Sequence, residues 1–328
     1  MKNTIQIDQH NQFIRKIAKK HFSATVLKIN RITEGYSHFM YDVEINKKPF
    51  NVIMRFTNTK KPEYNLLKEK YVMDIMTKKQ IPVAKIYAID TSKKFICEEY
   101  MIMEKFKGQN LKSIWQGLTE ADKIEITIKI GQLLKKIHSI KLARYGIIKN
   151  YGEIDADKSF EFRKSGKKQK YSASLRELFK MFMGDFSRLL PYKKLKPKFT
   201  AKIMTYITKN IEILEHQGKP TLIHGDFRTE HIFIEKIKEK YEIKGLIDFE
   251  FAHSLCPEYD FIKLHRQGFF DDKKLFSALQ KGYGKFNHKA VPIHRLMRDL
   301  GFAQAVLESG DHKTAENVLK SIEKRINK

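Results

Sequence analysis

The sequence predicts an α+β chain of two lobes: a small antiparallel-sheet unit over residues 1–106, then a larger, mostly helical unit over 107–328. Three observations predict it. Short alternating apolar runs separated by turn residues fill the first third. Helical periodicity takes over after Gly108. The helical part is interrupted by one strongly apolar pair of short strands, HIFIEKI and YEIKGLIDF, after PTLIHGDF.

The elements follow in order. Residues 9–22 place Phe13, Ile14, Ile17 and Ala18 on one side, as an amphipathic helix does. ATVLKINRI (24–32), YDVEI (41–45) and FNVIMRF (50–56) are strands, the last two joined by the turn residues NKKP. EYNLLKEKYVMDIMTKKQ (63–80) has helical period, with Leu66, Leu67, Val72, Ile75 and Met76 as its stripe. IPVAKIYAID (81–90) and YMIMEKF (100–106) are further strands around a TSKK turn. KFKGQNL (105–111) reads as the hinge, and a cleft between lobes is a common place for a ligand. ADKIEITIKIGQLLKKIHSI (121–140) is a long helix, 150–200 is irregular and basic, a helix follows at about 200–216, and helices return after 258.

Of 328 residues, 64 are Lys or Arg and 38 are Asp or Glu, a net charge of +26. Apolar residues make up 41%, enough for a core, which excludes wholesale disorder. Cys97 and Cys256 build no disulfide framework and have no metal-ligand spacing; they read as reduced thiols of a cytoplasmic protein. The first twenty residues lack the apolar core of a secretory signal, and no run of about 18 apolar residues suits a membrane span. The basic balance invites a nucleic-acid reading. Lys is scattered along the whole chain, however, and no zinc-finger spacing, aromatic RNA-binding run or basic zipper accompanies it. The charge reads better as solvated surface.

LIHGDFRTEHIFI (222–234) and GLIDFEFA (245–252) carry the densest chemical signal. Asp226 and Asp248 each sit against a strongly apolar stretch. A carboxylate placed so costs several kcal/mol unless it is hydrogen-bonded, paired or on a metal. Two such acids suit a Mg²⁺–phosphate site, one orienting an attacking hydroxyl and the other holding the ion. The bland alternative is a pair of satisfied acids in a helical domain.

These motifs resemble the aminoglycoside phosphotransferase and choline kinase group of small-molecule kinases over about residues 22 to 285. The resemblance implies a bilobal protein-kinase-like fold and transfer of a γ-phosphate from ATP or GTP, with Mg²⁺, to a hydroxyl of an antibiotic-like, sugar or amino-alcohol acceptor. It implies Asp226 as catalytic base, His224 as brace of the catalytic loop, Asp248 as metal ligand and Asp260 as the structural support of that loop. The family usually has Asn where this chain has His231, a poorer Mg²⁺ ligand than oxygen, so a second metal site is in question. The bland reading of His231 is a strand-start residue bonded to the catalytic loop. Gly225 replaces the Arg by which protein kinases read a phosphorylated loop, which favours a small-molecule kinase.

TEGYSHFMYDV (33–43) corresponds to the phosphate-covering loop, with Gly35, Ser37 and His38 offering contacts. Arg55 lies where kinases carry the strand lysine that grips phosphates; Arg offers a planar fork instead. Its plain alternative is an outward-facing strand charge. Glu69 is the helix partner implied for that cation, Glu63 the competing choice, and a solvated helix Glu the plain alternative. MEKFKGQNL corresponds to the hinge, so backbone groups of Glu104 and Phe106 would read the purine. Trp115 reads as packing. The basic stretch 158–202 falls where relatives carry an acceptor-binding insertion and hints at a neutral or anionic acceptor, since a chain at +26 is a strange host for a polycation. Two other readings stay open: a nucleotide-binding pseudokinase, given Arg55, His231 and DFE in place of DFG, and a basic polyanion-binding protein.

Overall fold

The computed structural model describes residues 2–33, 38–57, 65–155, 163–164, 167–168, 172–189, 196–216 and 218–327. Gly35, Ser37, Glu63 and, within the basic stretch 158–202, residues 158–162, 165–166, 169–171 and 190–195 lie outside them. The chain separates into two compact units: residues 1–118, 150–152 and 229–250 form one, and residues 119–149, 153–228 and 251–328 the other.

The first unit opens with α1 (Lys2–Phe22), longer than the periodicity of 9–22 suggests. Five strands follow: β1 (Val26–Ile32), β2 (His38–Ile45), β3 (Asn51–Thr57), β4 (Ile86–Asp90) and β5 (Tyr100–Glu104). All neighbours are antiparallel in the order β1-β2-β3-β5-β4. Phe13, Ile14, Ile17 and Ala18 of α1 close one sheet face against Val43, Val52, Met54 and Phe56. Alternation along β3 sends Arg55 to the other face. Between β3 and β4 runs α2 (Leu66–Lys78), whose cap Asn65 accepts from the backbone N–H of Leu67 at 2.9 Å.

The strand pair after the HGD motif is a hairpin, Ile232–Ile237 with Lys240–Leu246. Lys238 and Glu239 both have positive φ (45° and 64°), the backbone of a tight two-residue turn. This hairpin belongs to the first unit, and Gln109–Asn110 pairs with its first strand. The first unit therefore runs past the 105–111 segment to Leu118 instead of stopping at residue 106. Asn110 and Lys112 both bond to Glu230, which holds that segment to the hairpin's approach.

The second unit starts at Thr119, whose hydroxyl accepts from the Asp122 N–H at 3.1 Å and caps the helix Glu120–His138. That helix lies against the helix Lys273–Tyr283. Gly131 and Gly282 permit the approach: a Cβ at Gly282 would stand 2.0 Å from the Ile128 carbonyl oxygen. A small sheet pairs Thr221–Ile223 with His253–Leu255 and delivers the chain to His224. The core gathers Leu178, Phe182, Ile203, Leu296, Leu300 and Leu319 from four helices. Among the described residues no helix is long and apolar enough to cross a membrane.

Candidate active site

In the first unit Arg55 and Glu69 form a buried ion pair, Nη2 to Oε2 at 2.7 Å, the side chains 6% and 3% exposed. This removes both plain alternatives, the outward strand charge and the solvated helix acid. Arg55 Nε and Glu69 Oε1 are buried without a hydrogen-bond partner among the described residues. An orphaned guanidinium donor is a group that a ligand oxyanion would satisfy.

His38, at the start of β2, reaches Glu250 at 3.3 Å. Ligand atoms of His38, Glu69 and Glu250 lie within 4.8 Å of one another. Lys68 donates to the Glu250 carbonyl at 2.7 Å, and burial lowers its pKa.

Glu104 ends β5, and its N–H is donated to the Lys85 carbonyl at 2.8 Å. That N–H is therefore not a purine donor, which narrows the sequence expectation to other main-chain groups there. The Phe106 ring stands 5.5 Å from that of Phe233 and fills the space that Gly245 leaves.

Asp248 follows the second hairpin strand with φ +70°, a left-handed backbone that Asp tolerates better than most side chains. Its carboxylate keeps 31% exposure, and its Oδ2 lies 3.1 Å from His231 Nε2. His231 ends the short turn Thr229–His231 and is buried. The donor set fits one Mg²⁺ ion: a reachable carboxylate oxygen, with phosphate and water oxygens completing the shell. The imidazole adds less to such an ion than to the orientation of the carboxylate.

In the second unit the geometry of the HGD loop rests on Asp260, 1% exposed. Its Oδ2 accepts from the backbone N–H of His224 at 2.8 Å and its Oδ1 from that of Gly225 at 2.7 Å. His138 Nε2 lies 3.0 Å from the same carboxylate, and Tyr283 OH lies 2.9 Å from His138 Nδ1. Burial, then Glu258 and Asp260, raises the pKa of Tyr283, so it stays a neutral phenol. His224 is fully buried, and its Nδ1 accepts from the Asp226 N–H at 3.3 Å.

Gly225 has φ +79°, and a Cβ there would stand 2.0 Å from the Phe251 carbonyl oxygen. Gly225→Ala is expected to cost about 3 kcal/mol, from left-handed strain and the clash together. A urea midpoint equal to the parent's would show that the loop yields instead.

Asp226 itself is 5% exposed. Lys263 Nζ lies 2.7 Å from its Oδ1, and Arg228 Nε 3.2 Å from its Oδ2. Burial is the main cause of a lowered Lys263 pKa, opposed by Asp226.

His138, Tyr283, Lys263 and Arg228 were not singled out from the sequence. His138 closes an apolar helix and Lys263 stands three residues after Asp260, but neither position has a spacing that announces a role.

The solved structures similar to this chain share its fold. One is the GDP complex of wild-type aminoglycoside 2'-phosphotransferase-IIIa, with TM-score 0.69 and 13% identity, covering 96% of this chain and 98% of that one. A spectinomycin phosphotransferase in complex with ADP and spectinomycin aligns with TM-score 0.58 and 14% identity over 94% and 93% of the two chains. A kinase-like architecture of mixed helix and antiparallel sheet is thus shown. Among curated proteins, a subtelomeric hrmA-associated cluster protein of Aspergillus fumigatus is 30% identical over 77 residues, 23% of this chain and only 15% of that protein. The phosphotransferase enzyme family model matches residues 28–294, and the chain belongs to that family.

Proposed function

We propose that this phosphotransferase is a small-molecule kinase, moving the γ-phosphate of ATP or GTP to an acceptor hydroxyl. The observation that carries the reading is the Asp260 clasp on the His224 and Gly225 backbone, which holds the loop bearing Asp226. A general base contributes only when its carboxylate is held in position. Asp226 orients the acceptor hydroxyl and takes its proton. Arg228 and Lys263 contact that carboxylate and offer positive charge to the migrating phosphoryl group. Arg55, held by Glu69, grips nucleotide phosphates through donors such as its orphaned Nε. Asp248, steadied by His231, would hold Mg²⁺, which supplies charge neutralisation between phosphate oxygens when bound. The purine would meet the segment around Phe106. The two similar structures are complexes with GDP and with ADP, which supports a nucleotide here without choosing the base.

The test is thermal stabilisation by ADP and by GDP, each with and without Mg²⁺. A bound ligand present at 100 times its Kd adds about 2.7 kcal/mol, several degrees in a chain of this size. The parent is expected to respond more strongly with Mg²⁺, and Asp248→Asn to lose that increment while keeping the metal-free response. An unchanged Mg²⁺ increment in Asp248→Asn would remove the metal assignment. A nucleotide-binding protein without catalysis is the competing reading. It is favoured by one observation, the Lys263 ammonium on the Asp226 carboxylate, and the turnover experiment in the Discussion separates the two.

A further inference from the structure

Beside Asp226 the second unit gathers cations in excess of its acids. Lys263 and Arg266 lie one turn apart on the helix Phe261–Arg266. Arg295 and Arg298 come from the helix Val291–Glu308, and Arg325 from the helix His312–Ile326. One carboxylate, Asp299, serves three guanidinium groups. Arg266 and Arg325 contact it directly, and Arg295 Nε lies 3.7 Å away. Arg295 also meets His265 Nδ1 at 2.9 Å, and Arg298 covers the Phe251 ring at 5.0 Å. Among the described residues, the other acids acting on the cluster are Asp226, Asp185 and Asp271. Asp226 is paired by Lys263 and Arg228, and Asp185 by Arg188 at 3.2 Å.

One carboxylate balances the charge of one guanidinium, however many hydrogen bonds it accepts. Crowding three around Asp299 leaves positive charge uncompensated in a partly buried place, which is costly without an anion to meet it. Burial, then Arg295, Arg298 and Arg325, brings the Arg266 pKa down to about 10, the mark of that crowding. The cluster is not sealed: Lys263, Arg266, Arg295 and Arg325 keep 19%, 28%, 21% and 25% exposure.

Resting on the kinase reading above, we propose that the acceptor carries an oxyanion, phosphate or carboxylate, recognised by Arg266, Arg325 and Arg295 while its hydroxyl meets Asp226. Planar guanidinium forks suit such groups. Lys263 touches Asp226 and Arg266 follows it three residues on along the same helix, a rise of about 4.5 Å. The acceptor is therefore compact, its anionic group a few bonds from the hydroxyl. A phosphorylated or carboxylated polyol satisfies this, and a polycation is repelled.

The experiment uses the full chain saturated with ADP and Mg²⁺, so that the nucleotide site is filled, at constant ionic strength set by NaCl. Inorganic phosphate, sulfate and acetate are the probes, read by thermal shift. At ten times its Kd, phosphate is expected to raise Tm by about 2–4 °C. A larger response to phosphate and sulfate than to acetate assigns a tetrahedral anion, and the reverse a carboxylate. R266Q/R325Q leaves Arg295 for Asp299 and is expected to abolish the shift. R266K, which keeps the charge but not the fork, is expected to weaken phosphate about tenfold, one charge-assisted hydrogen bond's worth. No shift beyond the chloride control, a shift retained in the double variant, or unweakened binding in R266K overturns the proposal. Such a failure with the nucleotide response intact removes the acceptor class alone. Loss of the nucleotide response itself removes the kinase reading.

Discussion

Replacing Asp226 with Asn is expected to lower phosphoryl transfer by about 10²- to 10⁴-fold, the usual contribution of a positioned general base. Nucleotide-induced stabilisation should survive. Asn occupies the same volume and still accepts a hydrogen bond from Lys263 or Arg228, but it takes no proton from an acceptor hydroxyl. The loop should also stay in place, because its anchor is Asp260 on the His224 and Gly225 N–H groups, not Asp226. The measurement is transfer of labelled phosphate from ATP and GTP to a panel of hydroxyl acceptors, with basal hydrolysis followed in parallel. If the variant matched the parent in both, Asp226 would not be the base. A parent that binds nucleotide and never transfers phosphate would instead be the silent binder.

The second large effect is expected at Arg55. Arg55→Ala leaves the Glu69 carboxylate buried at 3% exposure without its cation, which typically costs 3–5 kcal/mol, roughly a third or more of a domain's stability. It should also weaken nucleotide by about 10- to 100-fold, the worth of one or two charge-assisted hydrogen bonds to phosphate. These consequences come apart in the pair Arg55→Met with Glu69→Leu. Apolar residues of similar volume remove both charges together, and exchanges of this kind are often close to neutral for stability. The double variant should therefore regain its urea midpoint and still bind nucleotide weakly. A double variant that regained both would reduce the pair to packing between β3 and α2. One that regained neither would mean that the buried pair also specifies the local fold.

Much of the architecture was legible because it rests on periodicity. The alternation of the sheet strands, the stripe Phe13–Ile14–Ile17–Ala18 and the apolar pair HIFIEKI and YEIKGLIDF are all local patterns. The helix start at Lys2 was not, since the apolar stripe read from the sequence begins only at Phe13 and the residues before it carry no capping signal. The membership of the hairpin was not legible either. Contacts such as Asn110 and Lys112 with Glu230 join residues more than a hundred positions apart, and no window of sequence contains both.

The site divides the same way. An aspartate embedded in an apolar run announces itself, because burying a bare carboxylate is expensive, and Asp226 and Asp248 were visible for that reason. Arg55 and Glu69 could be named but not told from surface charges until the sheet's second face proved to be covered. Which backbone groups of Glu104 and Phe106 face a ligand was not legible, because the Glu104 N–H is committed to the Lys85 carbonyl, a contact between strands that no local pattern records.

The sequence by itself determined the order of strands and helices, the acidic motif and the excess of positive charge, since each is a property of neighbours along the chain. Only the tertiary structure decided where that charge collects. Lys263, Arg266, Arg295, Arg298 and Arg325 are unremarkable in their own helices. Their concentration around Asp299 and Asp226 arises because helix packing brings separate faces together at distances where Coulomb forces act, and sequence separation carries no record of that.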